Sequence, residues 1–132
     1  MDGIKQDIQN LPRILLVEND KSSVDVTRYF LKGICSIDLA ENGDDALELA
    51  GKSNYPLILM DINLGNGVSG IEISKQIKNL DGYKNTAIVA LTAYAAPDDK
   101  DNFIASGLTH YLAKPFNKAT IINFVKSILD KA

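Results

Sequence analysis

The stretch Leu57-Ile58-Leu59-Met60-Asp61 decides the fold of this chain. A short apolar run bounded by turn residues is typical of a buried strand in a parallel sheet. The run ends in a carboxylate, Asp61, and a turn-rich stretch over residues 62–67 follows. Open α/β sheets place their ligand sites at the carboxyl ends of the strands. Asp61 is therefore the first candidate for a functional residue.

Two other apolar runs also end in charged residues. The stretch 18–20 (Glu-Asn-Asp) follows the apolar run 14–17, and Lys114-Pro115 follows the run 111–113. Acidic residues and a lysine that each close a strand would meet at one edge of a parallel sheet. Together with Asp61 they favour a metal-assisted phosphoryl site.

Short apolar runs alternate with amphipathic stretches along the chain. The predicted strands are residues 13–17, 34–40, 57–60, 87–91 and 108–113. The predicted helices are residues 22–33, 44–50, 69–80, 98–106 and 117–129. Strict alternation of this kind favours an α/β fold, a parallel sheet with helices on both faces, and right-handed crossovers limit its topology.

Length and composition fit one globular domain. The chain has 132 residues, of which 45% are hydrophobic and 23% charged, and its net charge of −3 gives no reason to expect nucleic-acid binding. The polar residues 1–11 are interpreted as a flexible leader and residues 12–132 as the domain. No apolar stretch approaches the roughly 20 residues of a membrane span. The single cysteine, Cys35, fits a reducing compartment, so we expect a cytoplasmic location.

Five positions, taken together, resemble the receiver domain of two-component response regulators. They are the acidic turn at 18–20, Asp61, Thr92 within Ala90-Leu91-Thr92-Ala93, Tyr111, and Lys114-Pro115-Phe116. Each motif is short, but their order along the chain and their places at strand ends are specific. The resemblance covers nearly the whole chain from about Pro12, and it is strongest to chemotaxis-regulator-like receivers. It implies a flavodoxin-like (βα)5 three-layer sandwich with parallel strand order 2-1-3-4-5.

By this resemblance, Asp61 is the phosphoacceptor and Lys114 its cationic partner. A carboxylate can attack phosphorus and form an acyl phosphate. Because both reactants are anionic, the site needs positive charge from Mg²⁺ (or Mn²⁺) and from Lys114. The resemblance also implies a cis bond between Lys114 and Pro115. The simpler interpretations are an Asp61 that caps the next loop and a Lys114 that lies on the surface.

The resemblance assigns the metal to Glu18, Asn19 and Asp61, with a backbone carbonyl from Asn63. The family usually has two consecutive acids in the first turn, and Asn19 stands at the second. An uncharged amide at that place predicts weaker Mg²⁺ affinity. Asp20 is interpreted equally as a residue that reaches the metal through a water and as a cap of the following helix.

Thr92 and Tyr111 are the implied switch residues. Thr92 would donate its hydroxyl to a phosphoryl oxygen, and Tyr111 would move between exposed and buried positions in response. The responsive surface would comprise the helix over 98–106, the strand over 108–113 and the last helix. An ordinary strand-end threonine and a half-buried strand tyrosine are the simpler interpretations.

The implied function is to accept a phosphoryl group from a histidine kinase or a histidine phosphotransfer protein and to signal to an unidentified output partner. Such a domain is no conventional enzyme, beyond self-catalysed phosphotransfer and autodephosphorylation, and it acts as a monomer or as a phosphorylation-dependent dimer. The chain is either a stand-alone regulator or a domain of a longer protein. Asn19 favours an alternative, a receiver-like binding module that does not use phosphorylation.

Two enzyme classes fit poorly. A haloacid-dehalogenase-like phosphatase needs an Asp-x-Asp nucleophile on its first strand, whereas Asp61 lies on the third. A flavodoxin-like cofactor binder needs a Ser/Thr/Gly-rich loop after the first strand, where the acids of 18–20 would repel a phosphate. The loop at 65–70 also departs from the family, because it lacks a proline and is one residue longer, and we expect it to be more mobile.

Overall fold

The computed structural model describes residues 10–65, 69–93, 104 and 106–131. Five parallel strands form one sheet in the order β2-β1-β3-β4-β5, so the predicted topology is confirmed. The strands are β1 (Arg13–Val17), β2 (Ser36–Ala40), β3 (Leu57–Asp61), β4 (Ala87–Thr92) and β5 (His110–Ala113). The chain changes direction across the sheet between β1 and β3, and such a switch point leaves a crevice at the carboxyl ends.

Four helices cover the sheet in the described part of the chain. They are α1 (Lys21–Leu31), α2 (Gly43–Lys52), α3 (Gly70–Lys78) and the C-terminal helix (Lys118–Leu129). The predicted helix over residues 98–106 lies outside the described residues, apart from Ile104 and Ser106. None of the described helices is long and apolar enough to cross a membrane.

Alternate residues of each central strand point to opposite faces of the sheet, which produces two cores. One core holds strand residues such as Leu15, Ile58 and Met60 against residues of α2 and α3. The other holds Leu16 and Leu59, among others, against residues of α1 and the C-terminal helix. The described residues therefore form three layers. Because β1, β3 and β4 are buried on both faces, their sequences are continuously apolar.

Several element boundaries differ from the sequence-based predictions. The residue Asp20 caps α1, with its carboxylate accepting from the backbone N–H of Ser23 at 2.9 Å and from the Ser23 hydroxyl at 2.8 Å. The helix therefore begins at Lys21, one residue before Ser22, near which the start was predicted. Strand β2 begins at Ser36, two residues later than predicted, because the N–H groups of residues 34 and 35 still bond to the Leu31 carbonyl at the end of α1.

Candidate functional site

Glu18 and Asp61 lie side by side at the carboxyl edge of the sheet. Val17 pairs with Met60 in the register of β1 and β3, so the next residue of each strand is also a neighbour. Both acids are buried, with exposed fractions of 1% for Glu18 and 6% for Asp61. Two carboxylates in such a place are costly unless a cation accompanies them.

Lys114 supplies a positive charge from the end of β5. Its Nζ lies 2.7 Å from Oε1 of Glu18 and 3.6 Å from Oδ1 of Asp61. The bond between Lys114 and Pro115 is cis, as the resemblance implied, and the Lys114 N–H donates to the Thr92 carbonyl at 2.8 Å. Lys114 thus contacts the expected partner, Asp61, but its closer contact is with Glu18.

The environment of Asp61 raises the pKa of its carboxyl to about 7. Desolvation is the largest cause, and the neighbouring Glu18 carboxyl adds to it through hydrogen bonding and charge. Lys114 and the N–H of Asn63 lower the pKa, but by less. The single charge of Lys114 therefore does not offset the negative charge of two buried carboxylates. A second cation bound at this edge would be stabilised by them.

The backbone after Asp61 is held by hydrogen bonds from side chain to main chain. Oδ1 of Asp61 accepts from the N–H of Asn63 at 3.2 Å, and Oδ1 of Asn63 accepts from the N–H of Gly65 at 3.2 Å. Asn63 also bridges to Ser69, which caps α3. Residues 66–68, at the centre of the loop expected to be mobile, lie outside the described residues.

Gly70 brings the start of α3 against the backbone of Asp61. A Cβ at Gly70 would lie 2.2 Å from the Asp61 carbonyl oxygen and 2.9 Å from Cγ of Met60. No side chain fits at that distance. The glycine therefore allows the helix to begin close to the end of β3.

The two remaining residues of the first turn make contacts other than those expected of metal ligands. The Asn19 side chain donates through Nδ2 to the carbonyl of Leu64. The Asp20 carboxylate is occupied in capping α1, and its hydrogen bonds to Ser23 lower its pKa. Of the two interpretations of Asp20, the structure contains the cap.

The predicted switch residues lie on neighbouring strands. Thr92 is the last residue of β4, pairs with Ala113 and is 6% exposed. Tyr111 lies on the edge strand β5, pairs with Ala90 and is 44% exposed. In the register of the sheet, Leu91 pairs with Asp61, so Thr92 lies one residue beyond the position of Asp61. Of two other residues of interest, the single histidine, His110, is exposed and the single cysteine, Cys35, is buried.

The residues at the edge fit a magnesium ion in their chemistry. Mg²⁺ prefers oxygen donors and is usually held by one or two protein carboxylates together with waters. Glu18 and Asp61 offer two carboxylates, and the crowding that raises the pKa of Asp61 is the kind that a dication relieves. Among the described residues, no group of three or more acidic, histidine or cysteine side chains could hold a metal. The carboxylate ligands of an ion here would therefore come from these two acids, and amide oxygens, backbone oxygens and waters would complete its shell.

Sequence reasoning missed two contacts at the site, one made by Leu64 and the other by Ser23. The Leu64 carbonyl receives Asn19, and Ser23 completes the cap that occupies Asp20. An apolar residue alone in a polar loop was a signal for Leu64, which is 4% exposed. Its carbonyl direction has no signal in the sequence.

Comparison with known proteins gives a consistent result. A family model described as "Response regulator receiver domain" matches residues 14–126. The transcription factor prr1 of Schizosaccharomyces pombe is 37% identical over 119 residues, which are 89% of this chain and 22% of that protein. The polar-differentiation response regulator DivK of Brucella anthropi is 32% identical over 121 residues, covering 90% of this chain and 97% of DivK. The chain thus spans only a fraction of one relative and nearly all of another.

A solved structure shows the same fold. The receiver domain of the sensor histidine kinase PA1611 from Pseudomonas aeruginosa has a TM-score of 0.81 and 29% identity, covering 90% of this chain and 98% of that one. That structure is described as having a magnesium ion coordinated in its active site cleft.

Proposed function

The chain belongs to the response regulator receiver domain family, a family of signalling domains, and we propose that it receives a phosphoryl group on Asp61. The observation that carries this proposal is the cluster at the carboxyl edge, where Lys114 contacts both Glu18 and Asp61. Residues 12–132 form the receiver domain in this proposal.

The reaction transfers a phosphoryl group from an imidazole nitrogen of the donor to a carboxylate oxygen of Asp61. A carboxylate oxygen of Asp61 attacks phosphorus and forms the new O–P bond of an acyl phosphate. The P–N bond to a donor imidazole breaks, and its electron pair stays on the nitrogen, which takes up a proton. Because the pKa of Asp61 is raised to about 7 even beside Lys114, a further cation in the site would increase the ionised fraction of the attacking carboxyl at neutral pH.

Mg²⁺ would be held by Glu18, Asp61 and the Asn63 carbonyl, and would supply positive charge for the transferred group. The magnesium described for the PA1611 receiver supports this assignment. Lys114 is the mobile charge of the chain itself, because a flexible ammonium can leave Glu18 for a phosphoryl oxygen. Thr92 would donate its hydroxyl to another of those oxygens. These changes would bias Tyr111 and the β5 surface toward the signalling state.

The donor is a phosphohistidine on a kinase or phosphotransfer protein. A hollow of about 300 Å³ lies beside Lys114, lined by residues that include Val26, Ala93 and Phe116. On the adjacent surface of α1, Val26 is 45% and Tyr29 68% exposed. We assign this apolar surface next to the site to the donor protein. The buried, unpaired Cys35 accords with a cytoplasmic location.

One observation favours a second function. Asn19 contributes no charge to the metal turn and bonds to Leu64 instead. A chain with too little metal affinity for phosphotransfer would act as a binding module through the same surfaces.

Intact mass after incubation with acetyl phosphate separates the two functions. We expect a gain of one phosphoryl group that requires Mg²⁺ and is absent in Asp61→Asn. The variant Asp20→Asn, which keeps a cap, serves as a matched control and should still be phosphorylated. A folded wild-type protein that gains no mass at millimolar Mg²⁺ would overturn the phosphoacceptor proposal and leave the binding module.

A further inference from the structure

Asn19 has a contact that a carboxylate at the same position could not make. Its Nδ2 donates to the carbonyl oxygen of Leu64, 45 positions along the chain. Because a carbonyl only accepts, the amide nitrogen must be the atom that faces it. An aspartate there would place one acceptor against another and repel the loop.

The loop that receives this bond lies directly beside the phosphoacceptor. Two consecutive hydrogen bonds of 3.2 Å connect Asp61 to Asn63 and Asn63 to Gly65. Both are local bonds between residues two apart, so neither attaches the loop to another strand. The side chain of Leu64 is 4% exposed and packs in the core, so it anchors the loop to the core beneath it.

Asn19 also passes close to the next residue of the loop. Gly65 has φ of +79°, and a Cβ there would lie 3.6 Å from Nδ2 of Asn19. The Asn19 amide therefore packs close to Gly65 as well as donating a hydrogen bond to Leu64. Among the described side chains at the end of β1, Asn19 is the one that donates a hydrogen bond to this loop.

We propose that Asn19 is a positioning residue, a clasp, that holds residues 62–65, the described start of the β3–α3 loop, against the end of β1, and that it fixes the backbone beside Asp61 before any metal binds. The position thus exchanges a negative charge for a hydrogen-bond donor. The clasp is a property of the folded chain alone, whereas its consequence for Asp61 rests on the proposed function.

Amide exchange in metal-free buffer tests the clasp. We compare wild type, Asn19→Asp and Asn19→Ala by NMR in the presence of EDTA and without a phosphodonor. Loss of one partly buried hydrogen bond should speed exchange at Gly65 roughly fivefold in both variants, with the C-terminal helix unchanged. Asn42→Asp is the matched control, because it adds the same charge near the same edge and retains an N-cap for α2.

Mg²⁺ titration of the same proteins separates a clasp from a metal ligand. Asn19→Asp should bind Mg²⁺ several-fold more tightly than wild type while its loop exchanges faster. Unchanged exchange at Gly65 in both variants without metal would overturn the proposal, and so would faster exchange throughout Asn42→Asp. If Asn19→Asp does not fold, Asn19→Ala decides the result. None of these outcomes depends on phosphorylation, so failure of the clasp and failure of the phosphoacceptor role remain distinguishable.

Discussion

At the scale of single residues, the central feature is the unequal sharing of one lysine between two acids. Lys114 lies 2.7 Å from Glu18 and 3.6 Å from Asp61, so Asp61 is the less compensated of the pair. Burial and the neighbouring acid raise its pKa to about 7. A carboxylate that is poorly compensated in this way has the most to gain from a cation.

This imbalance predicts a pH dependence of stability. Between about pH 4 and pH 7 the folded state holds a proton on Asp61 that the unfolded chain has released, so the free energy of unfolding falls as pH rises through that window. Asp61→Asn removes this effect. Each tenfold difference in proton affinity corresponds to about 1.4 kcal/mol, and we expect a gain of at least about that size for the variant above pH 7, after allowance for solvent screening.

Urea unfolding of wild type and Asp61→Asn in EDTA at several pH values measures the difference in their free energies of unfolding. This difference, or gap, should shrink as the pH falls toward 4. Asp81→Asn, at an exposed position, is the control for the loss of one acidic side chain. A gap for Asp61→Asn that is constant from pH 4 to pH 8 would contradict the assignment.

Substitution of Asp20 distinguishes its role as a cap of α1 from a role at the metal site. Asp20→Ala removes the acceptor of the Ser23 N–H and hydroxyl, so we expect the midpoint of thermal unfolding to fall by a few degrees. Mg²⁺ affinity, measured by calorimetry, should stay near the wild-type value. Asp20→Asn should restore the midpoint, and a large loss of Mg²⁺ affinity in both variants would mean that Asp20 belongs to the metal site.

The residue types at the site could be predicted from sequence, but their partners could not. Asp61, Glu18 and Lys114 each follow an apolar run, and a parallel sheet must bring such residues to one edge. Which acid is nearer the lysine is decided by distances of about an ångström. The same holds for Asn19, whose partner is a main-chain carbonyl with no mark in the sequence.

At the scale of elements, the start of α3 is set by a steric requirement. Ser69 caps the helix, and Gly70 is its first residue, in contact with the backbone of Asp61. Helix and strand termini were predicted to within about two residues. The differences arose where a cap or a last helical turn competed with an apolar neighbour, as at Asp20 and Ile34.

Two glycine substitutions should act in opposite directions. Gly70→Ala places a methyl group 2.2 Å from the Asp61 carbonyl oxygen, so we expect a loss of about 1 to 3 kcal/mol or more in stability. Gly51, inside α2, has nothing within 4 Å of its would-be Cβ. Gly51→Ala should therefore gain about 0.4 to 1 kcal/mol.

Denaturant unfolding of the two variants, under the same conditions, provides the comparison. If Asp61 is phosphorylated as proposed, Gly70→Ala should also slow that reaction, because the start of α3 must move away from Asp61. Equal effects of the two substitutions would show that helix propensity, and not the close approach to Asp61, controls this position.

At the scale of the whole molecule, the fold was the most predictable property. Continuous apolar runs predicted a sheet covered on both faces, and the two cores lie on either side of it. The regularity of the alternation carries this information, because each run must bury both of its faces. The predicted helix over residues 98–106 falls largely outside the described residues, so the surface that it would share with β5 stays a prediction.

Cys35 reports on the integrity of one core. Burial raises the pKa of its thiol to about 11, and the side chain packs in the cluster with Val24 and Leu31. Because the thiolate is the reactive form, native protein should react with a disulfide reagent at least about a hundredfold more slowly than unfolded protein at pH 8. Labelling kinetics with and without denaturant test this, and rapid stoichiometric labelling of the native chain would show that this core opens readily.

The identity of the phosphorylated residue is the most direct test of the mechanism. Borohydride reduces an acyl phosphate to an alcohol, which leaves a permanent mark on the modified residue. After reaction with acetyl phosphate and Mg²⁺, followed by reduction and peptide mapping by mass spectrometry, we expect the mark on Asp61 and none on Glu18. A mark on Glu18 or on another acid, with Asp61 unmodified, would contradict the geometry proposed for this site.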